Sequence, residues 1–429
     1  MVAIRRDIPW YRTRTYLHFD LPLGPNKAKA LVLNSAHVAR HSFYPLISYQ
    51  IITEKLSKSD DSSALKRIKK KRQIAYAAHV DAHIYSYYAS NLTSLYEKFL
   101  RANGLTNSVL AFRPLGLSNI HFAHAAFENI SARRTCAAVG MDVSGFFDNL
   151  DHGILKAAWA KLIAAAALPD DHYAVFKSIT KWSHVNRDAA FSEFGISANN
   201  PKSGRNRICS LEEFRTRIRQ KGLITRNSNA FGIPQGSPIS AVLSNIYMMD
   251  FDIEIHALAL RNDGAYFRYC DDILLIIPNL TRENIPKLIT EAIERLKLSI
   301  NSRKTEIRHF RANADGALEA DKPLQYLGFT FDGQRILIRS AAFARHSNKM
   351  KKAVRLAKST MRRWNGIRYA RGEGPKTLYR KSLYKKYSHL GRQNFITYGH
   401  RAVEIMKSRA IKEQLKPLWN RLISEIEKP

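Results

Sequence analysis

Apolar and aromatic residues recur at three-to-four-residue spacing in several parts of the chain, which is the pattern of helices with one buried face. The spacing predicts helices over residues 75–100, 118–129, 154–168 and 282–298. A basic run, residues 66–72, stands directly before the first of these and is expected to begin that helix. Tyr76, Ile84, Tyr88 and Leu92 recur on its apolar side, so we expect core packing rather than a platform for stacked bases.

Shorter apolar runs predict strands. Residues 137–143 are interpreted as a buried strand that ends near Asp142. Within residues 265–277, two apolar stretches without Gly or Pro flank an acidic pair, which predicts a β-hairpin with Cys270 and Asp271 near its tip.

The remaining signals complete a mixed α/β (α+β) pattern. Residues 148–152 are predicted to cap the helix that follows them. A Gly- and Pro-rich turn at residues 232–238 leads directly into a helix, which places backbone N–H groups at that helix N-terminus. Residues 326–338 predict a strand pair, and residues 340–429 are expected to be helical.

The charge of the chain points to a polyanionic partner. Lys and Arg number 69 against 36 Asp and Glu, which gives a formal net charge of +33. Residues 340–429 alone hold 23 basic and 5 acidic residues, the composition of an electrostatic surface for nucleic acid. An anionic membrane is the other candidate partner, but no apolar run approaches the roughly 20 residues of a spanning helix, so no membrane is expected.

The cysteines and the N-terminus indicate a cytoplasmic protein. Cys136, Cys209 and Cys270 are too few and too scattered for a disulfide framework or a zinc site. Arg5, Arg6 and Asp7 are followed by a mixed stretch rather than by the apolar segment of a secretion signal.

Three carboxylates stand where a metal site would need them. Asp142 ends an apolar strand, and Asp271 and Asp272 lie in the turn of an apolar hairpin. Carboxylates are ligands of hard Mg²⁺, and two such ions serve nucleotidyl transfer. Each element alone is more typical of a turn or a helix cap, but together, with the turn at 232–238 between them, they predict a two-metal site.

Five segments resemble, in order, the motifs of reverse transcriptases. Residues 269–272 resemble the YxDD box, 141–152 the motif of the first catalytic aspartate, 232–238 the PQG motif, and 298–305 and 324–329 the two motifs that follow the box. An ordered set is a far more specific signal than a lone acidic pair.

The resemblance implies a right-hand polymerase. It assigns residues 1–136 to an N-terminal region and fingers, and 137–338 to the palm, with 151–230 forming a fingers or insert part. Residues 339–429 would form a basic helical thumb. Their excess of Lys and Arg, interleaved with aromatic residues, predicts that they bind RNA, with Lys381, Lys385 and Lys386 as contacts; the alternative is a solvated surface packed on the palm.

The resemblance also assigns roles at the metal site. Asp142 and Asp271 would be the main ligands of two Mg²⁺ ions, with the Val143 carbonyl completing a site and Asp272 assisting. Phe147 would lie under the sugar and exclude a ribose 2′-OH, so the substrates would be dNTPs.

Further residues would hold the nucleotide and the primer. Gln235 and Gly236 would contact the incoming nucleotide and the template, and Lys304 the triphosphate. Arg72 and Arg113 are fingers candidates for the triphosphate. The primer grip would comprise three consecutive residues, whose side chains could equally belong to an ordinary packed hairpin: Tyr326, Leu327 and Gly328.

Residues 16–20 and 72–97 resemble bacterial antiphage defence-associated reverse transcriptases, most closely their second class. That resemblance implies antiviral defence and a structured noncoding RNA as template for a cDNA product. A retron-type enzyme stays open, as do an RNA-dependent RNA polymerase and an inactive RNA-binding scaffold. The residues do not indicate the priming mechanism or the oligomeric state.

Overall fold

The computed structural model describes residues 8–59, 62–278 and 284–428, and for residues 55–59 and 62–68 it describes the backbone alone. The strands of the described part are β1 Leu46–Ser59, β2 Ser62–Tyr76, β3 Cys136–Asp142, β4 Ser183–Asn186, β5 Ile224–Arg226, β6 Ala265–Tyr269, β7 Asp272–Ile277, β8 Glu306–Ala312, β9 Leu318–Ala320, β10 Leu324–Tyr326, β11 Phe329–Phe331 and β12 Ile336–Ile338.

The helices are α1 Pro25–Val32, α2 Ser35–Ala39, α3 His79–Ala102, α4 Asn119–Arg133, α5 Phe146–Asn149, α6 His152–Leu162, α7 Asp170–Thr180, α8 Arg187–Glu193, α9 Leu211–Glu213, α10 Ser240–Tyr247, α11 Met249–Arg261, α12 Ile285–Arg295, α13 Ser340–Tyr369, α14 Lys381–Tyr387, α15 Phe395–Met406, α16 Arg409–Leu415 and α17 Pro417–Glu427. A π-helical turn, Phe214–Arg219, continues α9, and a short 3₁₀ helix spans Ser302–Lys304. The mixed α/β class is confirmed.

A five-stranded antiparallel sheet, in the order β6-β7-β3-β8-β9, carries the candidate site. Its central strands are almost wholly apolar and buried, because helices cover one face and the β10–β12 sheet with α4 packs on the other. Burial on both faces explains why β3 and β7 appear in the sequence as unbroken apolar runs. The predicted strand at 137–143 and the hairpin at 265–277 are both confirmed.

A second sheet has the strand order β2-β1-β4-β5. It shows that the predicted start of the first helix is wrong. The basic run 66–72 lies in β2, where Arg72 pairs with Ile51 and Lys70 with Thr53, and it does not begin a helix. The helix begins only at His79. The reason is non-local, because the strand conformation of the run is fixed by its partner strand β1.

The helix α3 itself is confirmed, and its apolar face is core. Ile84, Tyr88 and Leu92 are at most 2% exposed, while Tyr76 lies half-buried at the end of β2. The predicted cap of α6 is also confirmed, since Asp151 accepts hydrogen bonds from the N–H groups of Gly153 and Ile154.

Two predicted helices end earlier than expected. α6 ends at Leu162 rather than at residue 168, because Ala164 adopts a φ of +53° that a helix cannot continue through. α12 ends at Arg295, and the first predicted residues of this helix, 282 and 283, lie outside the described part of the chain. The helix predicted at 118–129 is present as α4.

The C-terminal part is helical, as predicted. A small sheet, β10-β11-β12, precedes it, so the expected strand pair has a third strand. The 30-residue helix α13 buries only His346, Met350 and Val354, and the latter two form a small apolar core with α14 and α17. Across the described residues, no helix is both long and apolar enough to cross a membrane.

Candidate active site

The three aspartates meet at one end of the central sheet. The register of β3 and β7 places Asp142 directly opposite Asp272, and Asp271 lies in the turn before β7. Asp142 is only 8% exposed. The backbone N–H of Val143 donates to the carbonyl of Asp271 at 3.1 Å, so the end of β3 and the hairpin turn are directly joined.

A buried network supports the turn from below. Cys270 adopts a φ of +61°, a conformation that costs energy in a non-glycine residue. Arg268 donates to the Cys270 carbonyl at 3.2 Å and to the side-chain oxygen of Asn245 at 3.1 Å. Its guanidinium also forms an ion pair with Asp252 at 2.6 Å, and both side chains are fully buried. The turn is therefore held by fixed donors.

The electrostatics of the site favour a cation. Burial and the negative charges of Asp271 and Asp142 raise the pKa of Asp272 to about 7. Lys304 opposes this effect, and its Nζ lies 2.6 Å from Oδ1 of Asp142. The charge of Arg339 acts in the same direction. Two cationic side chains do not balance three carboxylates, so the grouping of the aspartates fits the binding of additional positive charge.

The donor set fits magnesium held jointly with a substrate. Among the residues that the structure describes, no group of three or more His, Cys, Asp or Glu side chains is arranged closely enough to enclose an ion. Mg²⁺ in polymerase sites is commonly bound through one or two carboxylates together with water and substrate phosphates. The carboxylates of Asp142, at the end of β3, and of Asp271, in the adjoining turn, match that requirement. A site made of protein ligands alone is not present in the described part of the chain.

Lys304 is positioned by the segment that follows α12. The N–H of Asn301 donates to the carbonyl of Asp142 at 2.8 Å, and the N–H of Ser144 donates to the carbonyl of Ser299 at 2.8 Å. These bonds join the segment to the end of β3. The structure therefore brings Lys304 to the carboxylates, as an ion-pair partner of Asp142.

The residues predicted to surround the nucleotide also come together. The N–H of Ile233 donates to the carbonyl of Phe147 at 2.9 Å, and the Phe147 ring lies 6.4 Å from that of Phe112. The side-chain amide of Gln235 lies 3.5 Å from Oδ1 of Asp148. The turn 232–238 is thus attached to α5, directly after the aspartate of β3.

The same turn is packed against the fingers-side strand β2. The N–H of Ala75 donates to the carbonyl of Gln235 at 2.8 Å. Gly236 has a φ of +110°, and a Cβ there would lie 2.7 Å from the Ala75 carbonyl oxygen. Only glycine fits this close backbone approach without strain.

The two arginine candidates have different surroundings. Arg72 is exposed on β2. The guanidinium of Arg113 is bound to both oxygens of Glu97, at 2.8 and 2.7 Å, and to the carbonyls of Thr106 and Val109. Its side chain is 2% exposed. Arg113 therefore fixes the loop after α3, and the geometry does not support its predicted contact with a triphosphate.

The three candidates for the primer grip lie where β10 turns into β11: Tyr326 is the last residue of β10, and Leu327 and Gly328 form the turn. Leu327 and Gly328 have φ values of +46° and +92°. The hydroxyl of Tyr326 is buried without a hydrogen-bond partner among the described residues, and burial and the charge of Asp272 raise its pKa. Tyr326 belongs to the apolar core against which Tyr269, the residue before the hairpin tip, also packs, so this turn lies near the end of the sheet that carries the aspartates.

Lys381, Lys385 and Lys386 are exposed on α14. That helix packs through Leu383 on α13 and α17, in an apolar core that the aspartates do not share. The structure does not bring these lysines to the carboxylate site.

Sequence reasoning missed two basic residues near the site. Burial raises the pKa of Asp148, whereas a hydrogen bond from Gln235 and the positive charge of Lys70 lower it. The charge of Lys70 is therefore felt by a carboxyl group at the edge of the site. The charge of Arg339 likewise lowers the pKa of Asp272 against the effect of burial. The Nε of Arg339 is buried without a hydrogen-bond partner in the described chain. Lys70 belongs to a basic run that was visible in the sequence; Arg339 had no local signal.

Comparison with known proteins gives one family. The model of the family described as "Reverse transcriptase (RNA-dependent DNA polymerase)" matches residues 58–331. The telomerase reverse transcriptase of Bos taurus is 29% identical over 144 residues, which span 32% of this chain and 12% of the bovine protein.

Solved structures show weaker similarity. Apo telomerase from Candida tropicalis has a TM-score of 0.39 at 12% identity, covering 97% of this chain and 68% of the telomerase. The RNA-dependent RNA polymerase of a human picobirnavirus has a TM-score of 0.43 at 10% identity, covering 89% of this chain and 56% of the viral chain. At these scores the similarity carries no functional argument.

Proposed function

Because this chain belongs to the reverse transcriptase (RNA-dependent DNA polymerase) family, we propose that it is an RNA-directed DNA polymerase that uses two Mg²⁺ ions. The observation that carries the proposal is the register of β3 and β7, which sets Asp142 opposite Asp272, with Asp271 in the adjoining turn. Asp142 and Asp271 would be the main ligands, with the Val143 carbonyl and Asp272 assisting. The ions would activate the primer hydroxyl and stabilise the leaving oxygen.

The residues around the carboxylates position the substrates. Lys304, which pairs with Asp142 at 2.6 Å, would turn to the triphosphate once metal ions neutralise the aspartate. Phe147 lies in α5, the first helix after the carboxylate strand β3. Its ring would exclude the 2′-OH of a ribonucleotide, so dNTPs are the proposed substrates. Gln235 and Gly236 would contact the nucleotide and template, since their turn joins α5 to the end of β2.

The flanking parts would hold the phosphates and the primer. Arg72 and Lys70 lie two residues apart on β2, so their side chains share one face of the strand. The charge of Lys70 opposes the rise in the pKa of Asp148 at the edge of the site. The turn formed by Tyr326, Leu327 and Gly328 would grip the primer, which is supported by the influence of Asp272 on Tyr326.

We propose fingers in residues 1–136, a palm in 137–338, with 151–230 as a fingers or insert part, and a thumb in 339–429. Segment 151–230 divides between two cores: Trp159 and Phe176 pack with the central core, whereas Val185 and Phe191 pack with the second sheet. The second half of the segment thus fits a fingers assignment better than the first.

The thumb is proposed to bind RNA through exposed cations and aromatic rings. Trp364, Tyr369 and Tyr379 are 54%, 67% and 70% exposed. Tyr384 and Tyr387 instead contact Trp419 and His346, at 5.4 and 5.7 Å between ring centroids. Lys381, Lys385 and Lys386 lie on the exposed side of the same unit, which supports their proposed contacts with phosphates.

A structured noncoding RNA as template and a cDNA made in antiviral defence are proposed from the resemblance of residues 16–20 and 72–97. The structure joins these two segments. Asp20 accepts hydrogen bonds from the N–H groups of His79 and Val80, and the Tyr16 hydroxyl donates to the Ala77 carbonyl at 2.9 Å. The two segments therefore form one structural unit. The cytoplasm is the proposed location of the protein.

A primer extension assay tests the proposal. A primed RNA template with Mg²⁺ should be extended with dNTPs and not with NTPs. Extension with NTPs alone would indicate an RNA-dependent RNA polymerase, and RNA binding without extension would indicate an inactive scaffold. Sequencing the nucleic acid that copurifies with the protein would separate a defence-type template from a retron, and plating phage on cells that express it would test defence.

A further inference from the structure

A cavity of about 580 Å³ lies away from the aspartates, where the β1–β2 pair meets α8 and the N-terminal segment. Its walls include Tyr16, Tyr49 and Tyr76, together with Arg187 and Lys202. Aromatic rings beside cations are the combination that binds single-stranded nucleic acid, because bases stack on the rings and phosphates pair with the cations.

The rings are held in place before any ligand arrives. The centroids of Tyr16 and Tyr76 lie 4.6 Å apart, and those of Tyr49 and Tyr76 lie 6.3 Å apart. Tyr16 also stacks on His79, with centroids 5.1 Å apart and ring planes 14° apart. All three tyrosines keep some exposed surface, and all three line the cavity. A planar ligand would lose little free energy to ordering of the protein.

The cations lie beside these rings. The guanidinium of Arg187 lies over the Tyr49 ring, 4.8 Å from its centroid. Its Nε and Nη2 donate to one oxygen of Asp188, at 2.9 and 2.8 Å, and in the described chain its Nη1 has no such bond. Lys202 is exposed at the rim. Arg187 and Lys202 carry two positive charges, and the neighbouring Asp188 carries one negative charge. The mouth of the cavity therefore has a net positive charge and favours an anion such as a phosphate.

The cavity lies on the same face of the β-ribbon as the basic residues near the active site. Side chains alternate along a strand, so Tyr76, Arg72 and Lys70 share one face of β2. The pairing of Tyr49 with Ile74 puts Tyr49 on that face too. Lys70 acts on Asp148 beside the active site. The six residue steps from Tyr76 to Lys70 span about 20 Å at strand rise, a path that a nucleic-acid strand could follow.

We propose that this cavity binds an unpaired nucleotide of a single-stranded RNA, with its base on Tyr49 and Tyr76 and its phosphate at Arg187 and Lys202. The proposal rests on the proposed function, since RNA is the template of a reverse transcriptase. It adds a second contact, at a cavity that none of the three aspartates lines, and this contact takes any base because every base has a π-face. Duplex RNA would be excluded, because its bases are already stacked inside the helix.

The test measures binding of a labelled 12-nucleotide oligouridylate to the full-length protein and to the variant Tyr49→Leu/Arg187→Gln. We expect the variant to bind about tenfold more weakly, and its logarithmic salt slope to fall by roughly 0.7 because one phosphate is no longer neutralised. Tyr49→Phe should keep the parent affinity. Lys27→Gln/Lys29→Gln removes two exposed lysines of α1 and should reduce binding far less. A 12-base-pair RNA duplex should bind parent and variant equally.

An unchanged affinity for oligouridylate in a variant with parent-like thermal unfolding would overturn the proposal. So would a loss of binding to free uridine monophosphate while oligouridylate binding persists, because the cavity would then take a free nucleotide.

Cross-linking of 4-thiouridine-substituted RNA should map to the peptides with Tyr49 or Tyr76, and mapping only to other peptides would also contradict the proposal. Primer extension by the variant at saturating template should match the parent; absence of extension by the parent itself would count against the proposed function instead.

Discussion

Arg268 and Asp252 form a fully buried ion pair, with 2.6 Å between Nη2 and Oδ2, and the same guanidinium donates to the carbonyl of Cys270. Tyr266 donates its hydroxyl to Oδ1 of Asp252 at 2.7 Å. The pair therefore connects helix α11 to the turn that carries Asp271. Its geometry explains how a strained, positive-φ residue can persist beside the carboxylates.

Asp252→Asn should destabilise the protein and misplace the turn. The change leaves the Arg268 charge without a counterion in a buried site, which costs about 3–5 kcal/mol. Chemical denaturation would measure that loss, and kcat for primer extension should fall in the fraction that remains folded.

A surface pair serves as the control for this variant. Arg295 and Glu254 lie 2.5 Å apart with side chains 57% and 51% exposed. Glu254→Gln should change stability by less than about 1 kcal/mol. Equal effects of the two substitutions would refute the supporting role of the buried pair.

Phe147→Ala should raise ribonucleotide incorporation relative to deoxynucleotide incorporation, because the ring would no longer fill the space under the sugar. The measurement is the ratio of kcat/KM for dNTP and NTP on one template. Phe112→Ala removes the neighbouring ring, 6.4 Å away, and should leave the ratio nearly unchanged. If both variants keep the parent ratio, Phe147 has no steric role.

Gly236→Ala should impair nucleotide use more than overall folding. The added Cβ would lie 2.7 Å from the Ala75 carbonyl oxygen, so the turn must shift, and the strain of such a backbone is about 1–3 kcal/mol. KM for dNTP should rise.

Gly116→Ala is the matched control, since Gly116 also has a positive φ, +67°, but has no atom within 4 Å of the added Cβ. It should cost only the left-handed backbone penalty of roughly 1–2 kcal/mol, with KM unchanged. A parent-like KM in Gly236→Ala would show that the turn does not contact the nucleotide.

Neutralising Lys381, Lys385 and Lys386 together to Gln should weaken RNA binding and lower the salt slope by roughly 0.7–0.9 for each phosphate that these lysines neutralise. Extension on saturating template should be little affected, because α14 belongs to a different core from the aspartates. Lys27, Lys29 and Lys98 are also exposed, and their triple Gln variant should retain more affinity. Indistinguishable RNA affinity in the Lys381 set would exclude α14 from the binding surface.

Local sequence signals were sufficient for the centre of the site. β3 is an apolar run that ends in Asp142, and the hairpin around Asp271 has apolar strands without internal Gly or Pro. Each element can therefore be recognised from a stretch of about ten residues. Their meeting could be inferred because both are buried strands that end in acids. The supporting charge of Arg268 could not, since its partner Asp252 lies on a helix and no periodicity links the two.

Pairing between distant segments accounts for the errors. The basic run 66–72 has no intrinsic signal for a strand, and its conformation depends on β1. Arg113 looked like a free cation because Glu97, on the preceding helix, is its partner only after the loop folds back. The sequence alone does not show whether the N–H groups of a basic side chain remain free to bind a ligand after folding.

The most direct test of the central claim is single-turnover primer extension on an RNA template, with dNTPs and Mg²⁺, by the parent and by Asp271→Ala/Asp272→Ala. Removing both carboxylates should reduce DNA synthesis to background while thermal unfolding stays close to the parent, because the substitution relieves repulsion between like charges. Asp250→Ala, a surface aspartate paired with Lys161, should keep parent activity. Extension by the double variant at a rate comparable to the parent would contradict the assignment of these aspartates as the catalytic metal site.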